Sequence, residues 1–167
     1  MRGARRAPVP DAVRRAPVAA GEKVLAGIVA EDGTVAVGTR DAVYVGGHRV
    51  PWEAVEKANW SQDDSTLTVV EVGSWGEQRP VHTLVVDEPG RFLQLVRERV
   101  TASIVLQRHV PVRGRRGVFV IARRAPRGDQ PWTWVYEFEE GIDPDDPEVR
   151  RLAEQALALA RAEVGLG

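Results

Sequence analysis

EDGTVAVGTRDAVYVGGHRVPWEAVEKANW, residues 31–60, decides the fold. Asp32-Gly33 and Gly46-Gly47 are two-residue steps suited to the positive φ values of tight hairpin turns. Between and around them, residues 34–38, 41–45 and 48–52 are short runs rich in Val, with one Tyr, side chains that fit a pleated surface. Residues 55–61 form the next strand, and Asp63-Asp64-Ser65 is its turn. Working outward, residues 24–30 are apolar on both faces of an extended chain, and residues 66–72 and 81–86 complete a run of about seven strands. Turn signals at this spacing indicate a small barrel or sandwich.

A helix follows. Glu88, Pro89 and Gly90 open it, and Phe92, Leu95, Val96, Arg99 and Val100 fall at 3–4 spacing, an apolar stripe with Arg99 on its edge. It should end near residues 101–103, where β-branched residues gather. A second unit begins there. Residues 104–112 and 117–122 read as strands joined by Arg113-Gly114-Arg115-Arg116. Trp132, Trp134, Tyr136 and Phe138 fall at period two and share one strand face. Asp146-Pro147 is a good N-cap and first-position pair for a last helix. Its stripe is Val149, Leu152, Ala153, Ala156, Leu157, Ala160 and Val164. The fold class is therefore α+β. Residues 1–20 read as a flexible basic tail, 21–103 as a β-barrel with its closing helix, and 104–167 as an antiparallel strand annex with a C-terminal helix.

The run Val35-Ala36-Val37-Gly38-Thr39-Arg40-Asp41-Ala42-Val43-Tyr44-Val45 resembles the strand pair of pleckstrin-homology-like (PH-like, GRAM-type) domains. Val50-Pro51-Trp52-Glu53-Ala54-Val55 is similar to their following proline–tryptophan step. The resemblance covers about residues 21–100. The whole chain also resembles a protein family of high-GC Gram-positive bacteria, which brings no activity with it. The PH-like resemblance implies a recognition module, not an enzyme. In phosphoinositide-binding members the loop between the first two strands is basic. Here it is Glu31-Asp32-Gly33, whose charges repel phosphate, so a phosphoinositide is disfavoured.

Bulk properties exclude several functions. The chain has 167 residues, a net charge of −1 and no cysteine, which removes disulfides, thiolate metal sites and cysteine nucleophiles. No apolar run reaches the roughly 18 residues of a membrane span, and the N-terminus lacks the apolar core of a secretory signal, so the expected location is cytoplasmic without membrane insertion. Neither a phosphate-binding glycine loop nor a Gly-x-Ser-x-Gly nucleophile turn is present. No catalytic residue and no cofactor is expected. His48, His82 and His109 have the spacing of no metal motif, so no metal site is expected either. Asp143-Pro144-Asp145-Asp146 lacks the Gly and Glu of a calcium loop and reads as helix capping.

Charge is distributed unevenly. Residues 21–96 carry −6, residues 97–127 carry +8 and residues 128–167 carry −7. An Arg hairpin beside aromatic rings could hold a phosphate backbone through Arg113, Arg115, Arg116, Arg123 and Arg124. The simpler reading is that these arginines pair with the acidic segments beside them. The aromatic row reads as core beneath the Ala-rich helix, where small side chains leave room for large ones. Trp75, flanked by glycines at a hairpin tip, is the single residue best suited to partner contact. The expected function is a protein-binding module engaged through Trp75 or a barrel edge, with nucleic-acid binding through the Arg hairpin as the alternative.

Overall fold

The computed structural model describes residues 9–73 and 79–165. Among these residues, ten strands form three antiparallel sheets. The first sheet runs in chain order through β1 (Ala26–Val29), β2 (Val35–Gly38), β3 (Ala42–Val45) and β4 (His48–Pro51). The second contains β5 (Val55–Ser61), β6 (Thr66–Glu71) and β7 (Val81–Val85). A 3-10 turn at Trp52–Ala54 joins the two sheets. The third has β9 (Arg116–Arg123) between β8 (Ile104–Arg113) and β10 (Thr133–Phe138). Among the described residues, no strand ladder closes the first seven strands into a barrel.

The first two sheets share one core with α2 (Gly90–Ser103). Val43, Val50, Trp52, Val55, Leu67 and Val69 are buried there against Phe92, Leu93 and Val96 of the helix. The Thr39–Trp52 segment explains its own sequence. Thr39 Oγ1 accepts from the backbone N–H of Asp41 and Ala42, which bends the chain between β2 and β3. The Trp52 indole donates to the Thr39 carbonyl at 2.9 Å, so a large apolar ring is buried without stranding its N–H.

The third sheet is covered by α3 (Pro147–Glu163). Asp146 caps it as the sequence predicts, accepting from the Glu148 N–H at 2.9 Å. Val118, Ile142, Val149 and Ala153 form the core here, with Tyr136 and Phe138 packed on it. Only that half of the aromatic row joins this core. Trp132 and Trp134 are half-buried and lie against each other in a tilted pair, with ring centroids 6.3 Å apart and planes at 45°.

The flexible-tail expectation for residues 1–20 needs correction over its described part. Asp11–Arg14 is a short helix, α1, and Val13 is fully buried with Val37, Ala42 and Tyr44 on the outer face of the first sheet. Gly27 makes this seat. A Cβ there would lie 2.7 Å from Val13 Cγ1 and 2.8 Å from the Ala36 carbonyl oxygen. The Tyr44 hydroxyl then accepts from the Ala19 N–H, fixing the chain beyond the helix. The composition of the segment is that of a tail, but a valine at the right offset from Pro10 had an apolar seat to occupy.

Candidate functional site

The Arg-rich segment does not form one basic surface. Arg113 and Arg116 oppose each other at the β8–β9 turn, with Arg115 exposed between them. Arg116 donates to the Glu140 carbonyl. Arg108 pairs with Glu163 at 3.0 Å, and Arg127 grips both oxygens of Asp41. Arg124 is exposed.

Arg123 is the clearest departure from expectation. It is 1% exposed, so it meets no ligand from solvent. Its guanidinium donates to Ser103 Oγ at 3.1 Å and to the Glu56 backbone carbonyl at 2.9 Å. Burial pushes its pKa down, against the upward pull of the Glu137 and Glu56 charges. Beside it, burial pushes the Glu56 carboxyl up, and the paired Arg79 guanidinium opposes that rise. Arginine counts along the chain do not reveal this; the signal that could have is alternation, which puts Arg123 on the same face as buried Ile121.

Trp75 lies outside the described residues. The strand entered from that connection, β7, presents the more informative surface. It is the outer strand of its sheet. The Glu71 N–H donates to the Pro80 carbonyl and the Val86 N–H to the Ser65 carbonyl. Residues 80, 82, 84 and 86 therefore turn their backbone groups towards β6, and 81, 83 and 85 turn theirs away. The Val85 carbonyl accepts from the Glu31 N–H at 2.8 Å, while Val81 and Thr83 face outward from the edge. Two of the three outward side chains of β7 are apolar, with the exposed Thr83 between them: Val81 is 55% and Val85 39% exposed, and Val29 on neighbouring β1 is 37% exposed.

A second cluster lies where the sequence gives no motif. His82 Nε2 is 2.6 Å from Glu71 Oε2, and His48 Nε2 is 3.3 Å from the same oxygen. The two imidazole centroids are 5.4 Å apart. His109 is not part of it and hydrogen-bonds Glu139 at 2.8 Å on the third sheet. The signal for this cluster is parity. His48, Glu71 and His82 each stand two residues from a buried apolar residue, namely Val50, Val69 and Leu84.

No protein-family model, curated protein or solved structure matches this chain. No helix among the described residues is long and apolar enough to cross a membrane.

Proposed function

We propose that this chain is a non-enzymatic, cytoplasmic binding module on a PH-like scaffold, and that its partner is a protein adding a strand to β7. The scaffold reading is supported by two antiparallel sheets that enclose one core with an amphipathic helix. The docking reading rests on the β7 edge. Natural sheets blunt such edges with charge, bulges or covering segments. The sequence of β7, VHTLV, carries no acidic residue, Lys or Arg, and its outward backbone groups at Val81 and Thr83 match what an extended peptide pairs with. Apolar side chains at 81 and 85 give such a peptide something to bury. The nucleic-acid alternative draws less support, because Arg108, Arg116 and Arg127 are engaged within the protein and Arg123 is buried.

Affinity capture with nuclease-treated lysate tests the reading, comparing the natural chain with Thr83→Pro and with Arg113→Ser/Arg115→Ser/Arg116→Ser. Proline at 83 removes an N–H that β6 does not use, so the sheet is retained while strand addition is blocked. A protein captured by the natural chain and by the triple variant, but lost with Thr83→Pro, is the expected result. Its amide exchange should slow at Val81 and Thr83. Capture unchanged by Thr83→Pro, or capture of nucleic acid that the triple change abolishes, overturns the proposal.

A further inference from the structure

We infer that His48, Glu71 and His82 form a binding site for a zinc-class divalent ion, at which a metal would tie the first sheet to the second. All three side chains continue the inward-facing rows of their strands beyond the last apolar layer. Val50 and Val69 are fully buried and Leu84 nearly so, and two residues further along each strand stands a ligand-type side chain. His48 comes from β4 of the first sheet, whereas Glu71 and His82 come from β6 and β7 of the second.

The geometry suits coordination. One donor atom from each residue lies within 4.8 Å of the other two. Both imidazoles present Nε2 to the same carboxylate oxygen, at 2.6 and 3.3 Å. Tetrahedral zinc with bonds of about 2.0–2.1 Å holds its donors about 3.3 Å apart. The His48 contact already has that spacing. The shorter His82 contact opens when the ion replaces the proton shared between nitrogen and oxygen. His48, with a side chain 58% exposed, can follow, whereas Glu71 and His82 are more enclosed at 17% and 21%.

The donor set also selects the ion. Two imidazoles and one carboxylate suit zinc and its late first-row neighbours, while calcium and magnesium prefer all-oxygen sites. Three protein ligands leave a fourth position for water or for an oxygen donor. The exposed imidazole of His48 marks the side from which that ligand would enter. Nothing in this inference depends on what binds the β7 edge.

Calorimetric titration of the chelator-treated full chain with Zn2+ alone is the test, followed by Co2+ to read the ligand field. One ion per chain, a tetrahedral-type Co2+ spectrum and a raised melting temperature with Zn2+ are expected. His48→Gln should weaken binding by more than the roughly 10–100-fold that loss of an outer-shell partner costs. His82→Gln and Glu71→Gln should do the same, and His109→Gln should leave the affinity unchanged. Because His48 is largely exposed, its variant folds and keeps the test decisive if the other two do not. Absence of Zn2+ binding, or binding that His48→Gln leaves intact, overturns the inference.

Discussion

Arg123 on β9 donates a 2.9 Å hydrogen bond to the backbone carbonyl of Glu56 on β5, joining residues 67 positions apart through a buried guanidinium. Its other terminal nitrogen donates to Ser103 Oγ at the end of α2. One side chain thus fastens the third sheet to the second sheet and to the helix. A buried cation is costly unless it is hydrogen-bonded and near opposite charge, and the Glu56 and Glu137 carboxylates supply that charge.

Arg123→Met should therefore destabilise the protein by about 3 kcal/mol, since it strands two buried acceptors and removes a compensating charge beside Glu56. The adjacent Arg124→Ser change is at an exposed position and should stay within about 0.5 kcal/mol. Urea denaturation of the two variants gives the comparison.

Glu22 is a pH-dependent fastening. Burial pushes its carboxyl up, but hydrogen bonds from Thr39, Tyr44 and Arg49, with the Arg49 charge, outweigh that and leave it lowered from 4.5. A folded-state value below the unfolded one stabilises the fold above the unfolded pKa, and the benefit disappears as pH falls through the folded value. Glu22→Gln should cost about 1–2 kcal/mol at neutral pH. Its deficit against the natural chain should shrink steadily below about pH 4.5 in thermal melts across pH.

Gly117 sits where β8 bulges towards β9. A Cβ there would lie 1.8 Å from the Val110 carbonyl oxygen and 2.8 Å from Pro111 Cα, both backbone atoms that cannot step aside. Gly117→Ala should cost about 3 kcal/mol or more, read as a lower denaturation midpoint. Gly47, with φ of 86° and nothing near its missing Cβ, bears only the conformational cost of about 1 kcal/mol.

Asp146→Ala should remove the cap of α3 and cost about 1 kcal/mol. Asp146→Asn should restore most of it, because an amide oxygen still accepts from the Glu148 N–H. Helical circular dichroism followed through a thermal melt distinguishes the two.

The first seven strands were legible as segments from turn residues and alternation, though not their division into two sheets that no ladder closes into a barrel. α2 and α3 were legible from their apolar stripes, and α3 also from its Asp146 cap, which are local properties. The candidate sites were less legible. Parity could place His48, Glu71 and His82 inward, but only the meeting of β4 with β6 and β7 brings them together. Arg123 looked like its neighbours by composition, and the burial of both faces of β9 is a tertiary fact. Val13 was hidden for the same reason: its seat is built by Gly27, Val37 and Tyr44, all later in the chain.

The Arg123 fastening bears on cooperativity. Residues 104–167 read as an appendage in sequence, yet they donate to the Glu56 backbone carbonyl and to Ser103 Oγ and give Asp41 its Arg127 partner. A chain cut after Ser103 would lose those partners and leave the buried Glu56 carbonyl without its Arg123 donor, so the shortened piece should be less stable than the same residues are in the intact chain. The intact molecule is expected to melt in a single transition, its two halves sharing one folding free energy.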